Sequence, residues 1–415
     1  MPVITGIIDQ HAEEAAFNWL IRNRAVSEPH YDLKDIAHLD DRVEANIDGL
    51  RIAGDEGWEI CREAMHFTED VGEVFTAGVL AFESKKLKRM NAVLSAVKTD
   101  NELERALISA LGWIRFENIT KPVQQLIHAS GANLKAIGIA TLAIQRRDPG
   151  TLINHYIHSE ASAVRSRVIK ACAELGRRDL LHEILTHLED EDLKCRFYAA
   201  LSATILGSPH SVVALRQYAD QKGPFAEEAA LTAIRRMHPA EAHEWLRHMG
   251  RKANQIRLAI KASGALGDPA VMPSLLKAMR VPEFARPAGE AFSMITGVDI
   301  AYHDLECEWP EGFEAGPTEN PDDEDVEMDP DEDLPWPDHD LIHKWWNENK
   351  RNFRNGTRYL CGKPISVNQC QHVLRHGYQR QRQAAALELS MMKPGLPLFP
   401  TKAPGFRQQR LLGLK

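Results

Sequence analysis

One motif returns seven times between residues 105 and 299: a short Ala-rich helical pattern that ends and turns, as in RLAIKASGALGDP (257–269). The other copies are RALISALGW (105–113), KAIGIATLAIQRRDP (135–149), RVIKACAELGRRD (167–179), RFYAALSATILGSP (196–209), EEAALTAIRRMHP (227–239) and AGEAFSMITGVD (288–299). Their equivalent end positions, Gly112, Ile144, Gly176, Gly207, Met237, Gly267 and Gly297, stand 32, 32, 31, 30, 30 and 30 residues apart. A period of that length belongs to stacked units, none of which hides its apolar face alone. Folding around one compact core is therefore excluded, and a chain of 415 residues also exceeds the ~250–300 at which a single core stops growing.

Local chemistry explains the form of each copy. In 164–175, Val164, Val168, Ala171, Cys172 and Leu175 recur at helical spacing, while Arg165, Arg167 and Glu174 face elsewhere. Glycine at the ends suits a positive φ, where a side chain would clash. Asp268-Pro269, Ser208-Pro209 and Asp148-Pro149 read as a capping oxygen followed by proline at the first helical position, and Pro239 after His238 keeps the proline with a poorer cap. Between the copies lie partner helices such as LLHEILTHL (180–188), VVALRQYA (212–219), AHEWLRHM (242–249) and VMPSLLKAMR (271–280), each with one apolar face. The expected fold is all-α, an α-solenoid of about seven helical hairpins over 90–299, with small residues letting the inner helices approach. Leu266 is expected between stacked pairs. Period and pattern resemble HEAT-like repeats, especially the short ~30-residue kind with an arginine near the start of the second helix, here Arg105, Arg165, Arg196 and Arg257. These arginines either line a groove for an anionic ligand or hydrogen-bond adjacent turns and hold the stack; the second reading is favoured.

Charge divides the rest of the chain. Residues 1–89 carry −8, residues 90–300 +4, residues 301–343 −17 and residues 344–415 +12, within a total of −9. A helical pattern in 1–89, with Leu39, Val43, Ile47 and Leu50 in register, predicts an N-terminal helical cap. The run ENPDDEDVEMDPDED (319–333) has ten acidic residues and no basic one, so 300–337 is expected to be a flexible acidic linker whose stretch 318–333 is dispensable for folding. Residues 338–415 are expected to form a basic region of helices and extended tail, docked through Trp345, Trp346, Tyr378, Leu398 and Phe399. The tail arginines and lysines, Arg375, Arg380, Arg382, Lys393, Lys402, Arg407 and Arg410, have the composition of a nucleic-acid binder. Pairing with the adjacent acidic run, or covering an acidic surface of the N-terminal bundle, is the favoured alternative, with Arg380 and Arg382 as candidate protein-binding or structural residues.

Chemistry-bearing motifs are few. Cys361, Cys370, His372 and His376 include two histidines four apart on one helix, a spacing that can share a metal. Their order follows no zinc pattern, and Cys370 and His372, two apart, diverge on that helix, so packing is the favoured reading and no metal or cofactor is assigned. There is no GxSxG, Walker A or GxGxxG in a strand-turn-helix context. The six cysteines form no CxxC and read as reduced thiols. The first residues lack a signal-peptide pattern, and no stretch approaches the ~18 apolar residues of a membrane span, which predicts a soluble cytoplasmic protein.

The segments HAEEAAFNWLIRNRAV (11–26), YDLKDIAHLDDRVEANIDGLRIAGDEGWE (31–59), GEVFTAGVLAFES (72–84), CGKPIS (361–366) and GYQRQRQAAALELSMMKPGLPLFPTKAPGFRQQ (377–409) are the most distinctive in the chain. With the repeats, they resemble a conserved hypothetical HEAT-like repeat family associated with bacterial type VI secretion gene clusters. The resemblance implies an accessory role: a non-catalytic adaptor holding an effector or a spike-tip component, with protein rather than nucleic acid as its partner. The alternative is a HEAT-like nucleic-acid-binding enzyme such as a DNA glycosylase-like protein, which needs a stronger basic face than a repeat region at +4 supplies.

Overall fold

The computed structural model describes residues 4–98, 100–316 and 328–414. It resolves into two compact units: the chain through Leu206 together with the residues from Lys393 onward, and Gly207–Met392. The described residues form twenty-two α-helices, joined by a few 3-10 turns. Their β-structure is a two-residue hairpin, Tyr359–Leu360 with Lys363–Pro364, and one bridge between Glu306 and Pro337. The fold class is all-α, built from helical hairpins in the manner of an α-solenoid.

In the first unit the inner helices Val71–Ser84, Asn101–Trp113, Ala132–Ile144, Ser162–Leu175 and Leu193–Ile205 each pack on the next. The outer helices Phe116–Ile127, Thr151–Tyr156 and Leu181–Thr186 pack on the inner helices that follow them. Close approach comes from the small residues: a Cβ on Gly78 would stand 3.0 Å from that of Ala110, and one on Gly138 2.8 Å from the Ile127 side chain. Buried hydroxyls do not disturb the ladder, because Thr76, Thr141 and Thr204 donate to the carbonyls four residues back, at 3.0, 2.8 and 2.7 Å. The ladder starts one rung before residue 90, since Val71–Ser84, expected in the cap, already packs on Asn101–Trp113. Thr5–Ala25 and Leu33–Ala53 pack together ahead of it, and Trp19 stacks on Phe75 at 4.6 Å, which meets Trp113 edge-on at 5.5 Å.

The second unit repeats the scheme with inner helices Ala226–Arg236, Ile256–Leu266 and Pro282–Thr296, against which Ser211–Asp220, Pro239–Met249 and Met272–Ala278 pack. Leu266 is fully buried, and burying a leucine side chain is worth about 1.5–3 kcal/mol. Gly176, Gly207, Gly267 and Gly297 adopt φ of 71°, 103°, 76° and 73°. Gly112 does not; it lies inside its helix, where a Cβ would stand 3.0 Å from Ile144 Cδ1. Asp268 accepts from the Ala270 N–H at 3.0 Å ahead of Pro269, as its cap pattern predicts. Asp148 instead accepts from the Gly150 N–H, and its helix starts later, at Thr151.

The acidic stretch divides in two. Residues 317–327 of the expected flexible linker lie outside the described residues. Its described part is folded, which corrects the expectation for those residues. Arg286, 3% exposed, lies over the rings of Trp309 and Trp336 at 5.1 and 4.7 Å. The same guanidinium meets Asp329 at 2.6 and 3.0 Å and donates to the Asp331 carbonyl at 3.0 Å. Phe313 closes the aromatic group against Trp336 at 5.4 Å. A buried cation requires opposite charge and hydrogen bonds, and Asp329 supplies both.

Candidate binding site at the repeat ends

Every helix leaves its last carbonyls without intrahelical donors and with partial negative charge. The inner helices of each unit end along one row, so these carbonyls form a ladder of acceptors. Gln145 Nε2 donates to the Leu111 and Ile114 carbonyls at 2.7 and 2.8 Å, one repeat closing the end of the previous one. Other donors come from far along the chain. In the second unit Arg358 donates to the Leu266 and Arg235 carbonyls at 2.8 and 3.0 Å, and its guanidinium also pairs with buried Glu388, which Arg235 meets at 2.8 Å. The N–H of Tyr359 donates to Gly267 at 2.8 Å, and those of Cys361 and Gly362 donate to Met294 and Ile295 at 2.8 and 2.9 Å.

Residues 396–408 do the same in the first unit. The Leu398 N–H donates to the Glu174 carbonyl at 3.1 Å, while Arg146 Nε donates to the Leu398 carbonyl at 2.7 Å. Buried Arg22 donates to the Lys402 and Ala403 carbonyls at 3.0 and 2.9 Å and pairs with Asp40 at 2.7 Å; the Asp40 carboxylate also accepts from the Gly405 N–H. Burial raises the Asp40 pKa despite the Arg22 charge beside it. Glycine permits the close passage: a Cβ on Gly176 would lie 2.6 Å from the Leu396 backbone, and one on Gly405 2.7 Å from Ala37 Cα.

The candidate arginines separate by partner. Arg165 grips Asp190 with two bonds of 2.6 and 2.7 Å and donates to the Ser159 carbonyl at 2.6 Å. Arg196 repeats the second contact one rung on, donating to Asp190 and Glu191 carbonyls at 2.6 and 3.0 Å. Arg257 pairs with Asp331, and Arg105 is exposed. Trp345 packs edge-on against Phe292 at 5.4 Å, and Trp346 lies tilted against Phe353 at 5.4 Å. Arg380 pairs with Glu290 at 2.9 Å; fully buried Arg382 donates to the Leu374 carbonyl at 2.9 Å and to Gln379. The described acidic residues Asp329 and Asp331 thus take arginines of the repeats, and the basic tail meets mainly carbonyls. Cys370 is fully buried, and burial lifts the Cys361 and Cys370 thiols to about 12. The His372 and His376 rings lie 4.8 Å apart, and burial, then the His376 charge, lowers the His372 pKa. Among the described residues, no three His, Cys, Asp or Glu side chains stand together as metal ligands.

A pocket of about 540 Å³ opens beside the seated tail in the first unit, lined by Trp113, Ile114, Arg115, Asn118 and Phe406 on one part. Its remaining lining is an ion-pair network: Arg51 meets Glu83 at 2.8 and 3.0 Å and Glu44 at 2.7 Å, and Glu44 accepts from Trp113 Nε1 at 2.6 Å. The pocket was not read from the sequence, whereas a tail lying against the N-terminal bundle was one of the two pairings its charge suggested.

Residues 149–235 match the family of HEAT repeats. That stretch carries HEAT-like repeats. The matched stretch runs from Pro149 to Arg235 and includes the copies at 167–179 and 196–209. A comparison with curated proteins found no match. HEAT-like repeats act in general as scaffolds for protein interaction, and among the described residues no helix is long and apolar enough to cross a membrane.

Proposed function

We propose that this HEAT-like protein is a non-catalytic adaptor that holds an extended segment of another protein, and that its client is an effector or spike-associated component of a type VI secretion system. One observation supports the scaffold reading above all: helix ends of the first unit already hold a non-helical peptide, the chain's own residues 396–404, through the Glu174 carbonyl, Arg146 and Arg22. A surface that satisfies its acceptors with a peptide backbone suits recognition of extended segments with little demand on their side chains. The type VI assignment rests on the resemblance of the terminal segments. The test is co-elution of the purified chain with the product of each neighbouring secretion gene on size-exclusion chromatography. A stoichiometric complex with one effector or spike component is expected. Failure with all of them, together with salt-sensitive binding of duplex DNA, would replace this reading with the nucleic-acid one.

A further inference from the structure

The corner where helix Gly405–Leu411 meets the Asn101–Trp113 and Ala132–Ile144 ends holds more positive charge than its surroundings balance. Arg407 is largely buried and makes a long 3.5 Å contact to the Ile114 carbonyl, while its Nη1 is buried without a hydrogen-bond partner among the described residues. Burial, then the charge of Arg147, brings its pKa down to about 10, with Arg410 and Arg146 adding to the effect and Glu117 opposing it. Glu117 is already engaged, by Arg147 at 3.1 Å, in an exposed pair of the kind that exchanges readily. Arg115 and Arg410 are exposed and make no side-chain hydrogen bond or ion pair among the described residues. Buried charge is ordinarily compensated, and Glu117 is the carboxylate set against the several arginines that act on Arg407. Beside it lies the pocket lined by Trp113 and Phe406, whose two carboxylates, Glu44 and Glu83, both pair with Arg51.

We propose that this corner docks an acidic peptide segment of a protein partner, an apolar residue entering the pocket against Phe406 while flanking carboxylates meet Arg115, Arg147 and Arg410. Guanidinium forks match carboxylates in geometry. Glu44, Glu83 and Glu117, interspersed with the arginines, disfavour a continuous polyphosphate and favour a short acidic motif. The inference rests on the adaptor reading for the nature of the partner, but its test uses a defined probe, so its failure leaves co-elution with a secretion component untouched.

The probe is a fluorescein-labelled peptide, Asp-Leu-Glu-Asp-Leu-Glu, titrated with the full chain and followed by anisotropy. Beside it run the same peptide with Asn and Gln for the acids and a single-stranded oligonucleotide of equal charge. The acidic peptide should bind at least about tenfold more tightly than its amide counterpart. The surface double variant Arg147→Gln/Arg410→Gln should weaken it by about the same factor with an unchanged melting temperature, and Phe406→Ala should weaken both peptides. Equal binding of the two peptides, an unaffected double variant, or tighter binding of the oligonucleotide would overturn the proposal.

Discussion

Asp190 concentrates much of what holds successive repeats together. It accepts two bonds from Arg165, one from His187 at 3.1 Å and one from the Asp192 N–H at 2.9 Å, so one carboxylate fixes a turn and joins it to the preceding inner helix. The Arg165 bonds, ahead of the other contributions, hold its pKa well below the usual carboxylate range. A depressed folded-state value contributes stability that is fully present above the unfolded-state value near ~4 and is lost as the pH falls through the folded one. Wild-type stability, followed by urea unfolding from pH 6 down to pH 2, should therefore decline below about pH 4 more steeply than that of Asp190→Asn. At neutral pH the variant should be less stable by about 1–3 kcal/mol. Leu266→Asp belongs to the same scale: an unpaired carboxylate in a fully buried position should cost about 3–5 kcal/mol, read as a large drop in melting temperature. The burial of Leu266 was legible in advance, because it follows from position within a period. Asp190 was not, since nothing marks it among Glu189, Glu191 and Asp192 until the turn is built.

Elements differ in how far their own sequence determines them. The repeat helices announced themselves through spacing, glycine ends and prolines, and the structure places their ends within a residue or two of that pattern. The acidic run misled, because composition reports only what a segment does by itself. Its aspartates find Arg286 and Arg257 at separations of 43 and 74 residues, and no local pattern encodes such a distance. Removing 318–333 is therefore expected to destabilise the second unit, and Asp329→Ala alone should cost about 3–5 kcal/mol by stranding the buried Arg286 charge. Differential scanning calorimetry of that variant checks it. The bonds that seat the tail were equally opaque, because the tail engages Arg22, Arg146 and Asp40 through its main chain, which carries no side-chain signature. Gly176→Ala tests its seat. The added methyl meets the Leu396 backbone at a residue with φ of 71°, so a loss of about 1–3 kcal/mol and faster proteolytic cleavage near residue 396 are expected.

At the scale of the whole molecule the chain leaves its first unit at residue 206 and supplies that unit again from residue 393. Truncation after Met392 should accordingly weaken the N-terminal helices more than those of Gly207–Met392, and hydrogen–deuterium exchange should rise in Thr5–Ala25 and Ser162–Leu175. Contact periodicity made the repeats readable, but this return of the chain is a long-range closure that period alone never reveals. It also fixes an order of events on the ribosome. Arg22 and Asp40 emerge early and wait while more than 350 further residues are made, so a message broken near its 3′ end yields a product whose defect lies at its beginning.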